Sequence, residues 1–384
     1  MTQHTIIIGG GGIGSAIAYF LSSMAQSGER ITVVERDPTY RVASSSLSAS
    51  SIRHQFSTAV NVRLSQFGYS FLQSLGAGPQ SSVGLEPRGY LFLGRKDQAT
   101  SLRERTRHVR ALGAAVEEFD ASQLRDRYPW INCDEVTYAS RGIQGEGWFD
   151  GYLLLQLYRT RARALGVEYV HGEAIGLQTR GSRVVALELA SGQRLSGDQF
   201  VVASGPWSAT VARLAGIELP IRPRRRSVFV VSSPTPLPDF PILIDTTGVY
   251  VRPERHHYLC MVSPSAETDH DDLPLDPDFT LFEDHIWPTL AARIPAFESL
   301  RIERTWAGYY EFNTADHNGL VGQIGPDNLY VAAGFSGHGL MHSAGVGRGM
   351  AELLRHGEYR TLDLSTLSPA RLLTGQLIVE DAVY

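Results

Sequence analysis

The sequence predicts an α/β fold: a Rossmann-like domain on a parallel sheet, interleaved with an α+β domain on an antiparallel sheet. Three observations predict it. An apolar run over 5–8 meets Gly9-Gly10-Gly11-Gly12-Ile13-Gly14, a helical pattern over 15–24 follows, and a second strand over 31–34 ends at Glu35. The same order of strand, small residues and helix returns at 199–207 and at 329–354. Between these returns, 220–253 shifts to proline, arginine and short β-forming runs, as expected of an antiparallel sheet with turns. The domains are expected at 1–75, 145–215 and 314–372 for the first, and 76–144 and 216–313 for the second, with 373–384 as a tail.

Read as G-x-G-x-x-G, the opening turn uses Gly9 to turn tightly, Gly11 to let a pyrophosphate approach the backbone, and Gly14 to pack helix on strand. Gly12 and Ile13 lie at the helix N-terminus, which faces the phosphates. Glu35 stands about twenty residues beyond, where a carboxylate takes both hydroxyls of an adenosine ribose and repels a 2′-phosphate. This favours FAD or NAD over NADP. Residues 43–56 are small and hydroxylic until they end in Arg53-His54, a stretch suited to close cofactor contact.

A helix over 61–75 stops at 76–79, a strand covers 89–94, and a polar helix over 98–112 ends at Gly113. The glycine-rich stretch 144–150 precedes a helix over 152–165 and a short strand over 167–170. A hairpin over 184–195 turns at Ser191-Gly192, and the strand 199–203 feeds Ser204-Gly205-Pro206-Trp207. Strands at 227–231, 241–245, 248–252 and 258–262 form the antiparallel part. An acidic loop at 269–278, a helix over 279–294 and a strand over 302–312 complete it. The strand 329–333 then leads through 334–341 into a helix over 342–354.

The net charge of −5 and pI near 6.2 argue against a nucleic-acid partner, which needs a basic face. Cys133 and Cys260 make neither a disulfide framework nor a metal-ligand spacing, so a reducing compartment, the cytoplasm, is expected, with no metal. Lys96 is the only lysine and sits in a polar stretch, which argues against Schiff-base chemistry. No run approaches the roughly twenty apolar residues of a membrane span, and glycines break the N-terminal run, which reads as a strand and not a signal peptide.

Gly9 to Gly14, Glu35-Arg36, the serine run through Arg53-His54, Ala203-Ser204-Gly205-Pro206-Trp207-Ser208, Trp306-Ala307-Gly308 and Gly334 to Gly339 occur in that order. End to end, the chain resembles the D-amino acid oxidase superfamily of FAD-dependent oxidoreductases, which includes sarcosine oxidases, glycine oxidases and D-amino acid dehydrogenases. Within it, 47–71, 145–155, 306–321 and 334–372 look most like the mitochondrial FAD-dependent oxidoreductase domain-containing proteins and their bacterial relatives. The resemblance implies a glutathione-reductase-like FAD domain and FAD held without a covalent link. Gly9, Gly11, Gly12, Ile13, Gly14, Glu35 and Arg36 would bind it. Ser44, Ser45, Ser51 and Ile52 would lie near the pyrophosphate or flavin, Ala174 near the adenine, and Ser204, Gly205 and Trp207 by the nucleotide. Gly308, Gly334, Gly337, His338, Gly339, Leu340 and Met341 would lie along the flavin.

Oxidation of a small amine or amino acid, primary or secondary, needs a carbon held near the flavin and a neutral nitrogen. The resulting imine is hydrolysed by water. Arg53 aligns with the carboxylate-anchoring arginine of sarcosine oxidases, and a guanidinium fork suits a carboxylate. Arg252 is either a second anchor or one side of an ion pair. His338 is either a base or a positioning group. Tyr309 and Tyr310 stand where related enzymes carry a substrate-binding arginine, while Tyr250 and Tyr258 are pocket wall or core.

The chain departs from sarcosine oxidases at three positions. Met341 replaces a carboxylate-binding lysine, Cys260 stands near their oxygen-assisting lysine, and Gly308 near their flavin-linking cysteine. The electron acceptor is open among a quinone, an electron-transfer protein and oxygen. A flavoprotein acting in protein interaction or complex assembly is the alternative, and an NAD-dependent dehydrogenase would leave the second glycine turn unexplained.

Overall fold

Strands that are apolar without alternation, such as His4–Ile8 and Arg30–Glu35, need cover on both faces, which a parallel sheet between helices provides. The computed structural model describes residues 3–383, so Tyr384 of the expected tail lies outside the described residues. Its chain divides into two units.

The first unit comprises 3–50, Asp150–Arg224 and Tyr309–Val383. Its six-stranded sheet runs in the order Leu320–Gln323, Leu329–Ala333, Gln199–Val202, His4–Ile8, Arg30–Glu35, Glu168–His171. Every neighbouring pair is parallel except Leu320–Gln323 with Leu329–Ala333. The first return of strand, glycine and helix read in the sequence therefore lies beside the opening strand and the second beside the first, and the carboxyl ends of all three strands share one edge. Helix Gly12–Ser23 packs against Gly151–Ala164 and Gly339–His356. Gly347 permits the latter contact, since a Cβ there would stand 2.8 Å from the Ala16 carbonyl carbon. The expected hairpin is present as Arg183–Leu189 with Arg194–Ser196, and a strand that went unread, Ala174–Arg180, completes a three-stranded sheet.

The second unit comprises Ser51–Phe149 and Arg225–Gly308. Its eight-stranded sheet has the order Arg301–Asn313, Ile221–Ser232, His257–Met261, Tyr250–Glu254, Ile242–Ile244, Tyr90–Gly94, Tyr138–Gly142, Val116–Phe119. Ile242–Ile244 and Tyr90–Gly94 pair in parallel. The last two strands were not expected, because Val116-Glu117-Glu118-Phe119 is four residues long and half acidic and Tyr138-Ala139-Ser140-Arg141-Gly142 has a single strong β-former, so that pairing with neighbours completes them. Alternation along each strand separates two faces. Leu91, Leu93, Phe229, Leu243, Val251, Tyr258 and Cys260 enter one aromatic-rich core, while Tyr90, Phe92, Tyr250, Arg252, Leu259 and Met261 lie at the alternate positions.

The boundaries differ from those expected. Residues 51–75 and 145–149 go with the second unit, because Ser51 and Ile52 pair with Trp148 and Gly147 and because Glu146 ties His54, Gln55 and Tyr90 together. Residues 216–224 and 309–313 go with the first, where Thr314 N–H donates to the Pro220 carbonyl. The segment expected as a tail is docked. Asp316 accepts the Arg371 guanidinium at 2.7 and 3.0 Å and the Ile378 N–H, Asn318 Nδ2 donates to the Ile378 carbonyl at 2.6 Å, and Glu380 and Ala382 are buried.

Candidate functional site

The opening glycine turn is shaped by close contacts. Gly9 has φ +103°, and a Cβ on it would run into the Ala203 carbonyl; one on Gly14 would run into the Gly9 carbonyl. Gly11 is different, since its nearest neighbour in the Cβ direction is Ser45 Oγ at 3.8 Å. No side chain caps helix Gly12–Ser23 at Gly11, which leaves first-turn N–H groups to another acceptor. Glu35 accepts the Gly10 and Asp37 N–H groups, each at 2.8 Å.

Helix Ser44–Leu47 brings Ser45 to the same turn, and the buried hydroxyls of Ser44, Ser45 and Ser46 have no hydrogen-bond partner. Ser45 Cβ and Leu340 Cδ1 lie 3.3 and 2.9 Å from where a Gly12 Cβ would stand. Orphaned buried hydroxyls beside uncapped N–H groups are costly unless a polyanion satisfies them, so these residues fit the pyrophosphate of FAD. Arg36 stacks its guanidinium 3.8 Å from the Trp207 ring centre, and Trp207 meets Tyr309 edge-on at 6.1 Å. Ser204 Oγ donates to the Ile8 carbonyl, Gly205 has φ +55°, and Ala174 opens the strand Ala174–Arg180.

The second glycine turn also lies in the first unit. Gly334 and Gly337 have φ +81° and +95°, and a Gly337 Cβ would strike the Tyr310 ring. His338 is the N-cap of Gly339–His356 without a side-chain cap bond, and its ring lies 5.8 Å from that of His342. Beneath the turn sits Glu311, whose Oε2 accepts the Gly334 N–H at 3.1 Å; Phe335 N–H is a second donor. Burial raises this carboxyl to about 7 against those two bonds. The sequence reading passed over Glu311; an acid after Tyr309-Tyr310 in a strand returning to the sheet was the available signal.

In the second unit, Arg53 is 3% exposed. Its Nη1 donates to the Gln55 carbonyl at 2.7 Å, and its guanidinium lies 4.0 Å from the Phe56 ring centre. Glu146, also missed, lies between Gly145 and Gly147 and is fully buried. It accepts the His54 N–H at 2.8 Å, Gln55 Nε2 at 3.1 Å and the Tyr90 N–H at 3.2 Å, while Ser140 Oγ donates to Gln55 Oε1 at 2.8 Å. Burial, the larger effect, lifts Glu146 to about 7 although these donors and Arg53 pull it down. The network staples the Arg53 segment to Tyr90–Gly94. Both nitrogens of the buried His54 ring lack partners, and burial lowers that imidazole to about 4. Ser51 accepts the Tyr90 hydroxyl proton and Ile52 is buried.

Arg252 takes the ion-pair alternative, with Nη1 2.6 Å from Glu254 Oε2 and 2.7 Å from the Pro253 carbonyl. Tyr258 is core: its hydroxyl accepts the Leu237 N–H at 3.2 Å and its ring packs on Phe240 and Phe297. Cys260 lies in the same core, 3.6 Å from the Phe229 carbonyl, where burial pushes its thiol up. It is therefore on the face away from Tyr250 and Arg252, and is no seat for a charge. Gly308 is a buried residue of Arg301–Asn313. Both cysteines are free, buried and in the second unit, and no metal-binding cluster occurs among the described residues.

The family model described as FAD dependent oxidoreductase (DAO) matches residues 4–353. "FAD-dependent oxidoreductase domain-containing protein 1" of Xenopus laevis is 38% identical, over 98% of this chain and 83% of its own length. Glycine oxidase of Pseudomonas aeruginosa is 24% identical over 96% of this chain and 99% of its own. The crystal structure of L-proline dehydrogenase from P. horikoshii superposes with a TM-score of 0.85 at 24% identity, covering 98% of this chain and 99% of that one, which is a likeness of fold.

Proposed function

The chain belongs to the DAO family of FAD-dependent oxidoreductases, and from that premise we propose that it oxidises the C–N bond of a small amine or amino acid. Bound FAD supplies an acceptor for two electrons and a proton from the carbon that bears nitrogen. The chain's own part is to bind, orient and keep water away. Arg53 is the carboxylate anchor in this reading, and the observation that carries it is a guanidinium buried against Phe56, on a segment stapled down by Glu146. A positive group in such surroundings gains from a carboxylate more than it would in water. Arg252, already facing Glu254, serves structure. Similarity to a glycine oxidase and likeness of fold to an L-proline dehydrogenase support amino acids, primary or secondary, as the substrate class.

FAD is held without a covalent bond in this proposal, since both free thiols are buried in the apolar core of the second unit. Two buried free thiols suit a reducing compartment, and we place the enzyme in the cytoplasm on that ground. No helix among the described residues is long and apolar enough to cross a membrane. The deciding experiment mixes the flavin-loaded protein anaerobically with glycine, proline, their N-methyl derivatives and the corresponding amines without a carboxylate. Bleaching by one or more of the carboxylated amines is expected. A flavin untouched by the whole panel would overturn the reading and leave protein interaction as the function.

A further inference from the structure

Glu311 stands where the two later glycine turns of the first unit meet. A Cβ on Gly339 would come 2.9 Å from its Oε1, and one on Gly205 would come 3.9 Å from its Oε2. Those turns follow Leu329–Ala333 and Gln199–Val202, which lie side by side with parallel His4–Ile8 between Gln199–Val202 and Arg30–Glu35. The first glycine turn adjoins them, since a Gly9 Cβ would stand 2.7 Å from Ser204 Cα. Ligands of such sheets bind at this edge, outside the carboxyl ends of the strands. Glu311 places a carboxylate at this edge, 8% exposed and with no cationic partner among the described residues.

We infer that Glu311 is a positioning residue that holds the 334–339 turn and offsets the charge gained by the cofactor on reduction, by binding one proton from solvent. As an anion it accepts the Gly334 and Phe335 N–H groups and so fixes the start of the turn. Two-electron reduction with one proton leaves one extra negative charge beside these turns. The carboxylate and a solvent proton then give the neutral carboxyl, so the overall uptake becomes two electrons and two protons. A carboxyl raised to about 7 by burial is poised for this at neutral pH, because a new negative charge nearby favours its protonated form. The other titratable groups on the elements around it are Tyr309 and Tyr310 on its strand, His338 on the turn and His342 on helix Gly339–His356. None of them is an ionic partner that sets its state.

The inference rests on FAD in the first unit and not on the amine reading, and its test uses no amine. The midpoint potential of the flavin-loaded enzyme is followed from pH 5.5 to 9 by dye-mediated reduction. Each proton taken up changes the two-electron equilibrium tenfold per pH unit, about 30 mV. The slope is expected to double over a window that opens near pH 7. In Glu311→Gln it is expected to stay at one proton, with potentials that match wild type at low pH and lie above it at high pH. A purely structural loss would shift both ends. If Glu311→Gln does not retain FAD, Glu311→Asp replaces it, with the doubled slope kept and its window moved. A one-proton slope throughout in wild type, a doubling that survives in Glu311→Gln, or an unmoved window in Glu311→Asp would overturn the inference.

Discussion

Arg53 and Arg252 are both buried arginines near aromatic rings, and what separates them is the company of the guanidinium. Glu254 faces the Arg252 guanidinium, whereas the Arg53 guanidinium donates to the Gln55 carbonyl and lies over the Phe56 ring. Arg53→Ala should therefore weaken carboxylated substrates by about 2 to 5 kcal/mol, the range for truncating one side of a buried charge pair. Flavin content should stay. Steady-state and anaerobic titrations test this, and an unchanged concentration dependence would remove Arg53 as the anchor. Glu146 makes a second residue-scale prediction. Its folded value, about 7, lies above the unfolded one, so the native state binds the extra proton between the two. The stability this brings is complete below about pH 4.5 and is lost as pH rises through 7, each pH unit between the two values being worth about 1.4 kcal/mol. The apparent melting temperature should fall from pH 5 to 7.5, and less in Glu146→Gln. An equal fall in the variant would assign the effect to another group. The sequence pointed to Arg53 through a motif, whereas for Glu311 it offered only an acid in a strand returning to the sheet, and for Glu146 only an acid between two glycines. Their importance comes from backbone donors distant in sequence, His54, Tyr90 and Gly334, which only the folded chain assembles.

Elements tell a more legible story. The glycine turns were read correctly as strand-to-helix junctions because glycines such as Gly9, Gly14 and Gly337 answer a local steric demand that spacing reveals. Two glycines of the first turn can be told apart by what surrounds them. At Gly14 a methyl group would enter the Gly9 carbonyl, so Gly14→Ala should push helix Gly12–Ser23 off its strand and reduce both folded yield and flavin content. At Gly11 the direction of a methyl group is open, so Gly11→Ala should fold with an unchanged circular dichroism spectrum. It should nevertheless lose about tenfold or more in FAD affinity, about 1.4 kcal/mol, because the methyl occupies space meant for phosphate. Equal flavin-to-protein absorbance ratios in Gly11→Ala and wild type would break this assignment. The strands Val116–Phe119 and Tyr138–Gly142 were not legible for the opposite reason, as each is short and rich in polar or small residues, and pairing makes them, Tyr138–Gly142 with Tyr90–Gly94 and Val116–Phe119 with Tyr138–Gly142.

At the scale of the whole molecule, fold class and family were legible because three glycine turns recur in order along one chain, while the second unit was legible only as a change of composition. Face assignment within its sheet was not, and it matters for reaction with oxygen. Cys260 aligns near an oxygen-assisting lysine of sarcosine oxidases, yet alternation places it in the core with Phe229 and Val251. Putting lysine there would bury an unpaired charge and destabilise the second unit, so Cys260→Lys is not a route to an oxidase. The chain has one lysine, Lys96, exposed in the turn after Tyr90–Gly94. A fixed cation next to the flavin stabilises the superoxide formed in the first electron transfer to oxygen, as preorganised charge does for any charge that develops in a reaction. In the first unit, His338 at the N-terminus of Gly339–His356 is the group of the second glycine turn that would take that part as a cation. A positive charge at a helix N-terminus meets the unfavourable end of the helix dipole. Air should therefore reoxidise the substrate-reduced enzyme more slowly than a quinone or dye does, measured by the return of flavin absorbance after rapid mixing. Return in air at the rate of turnover would make the protein an oxidase, and the cation would then have to be sought at His338, with His338→Asn slowing that step alone.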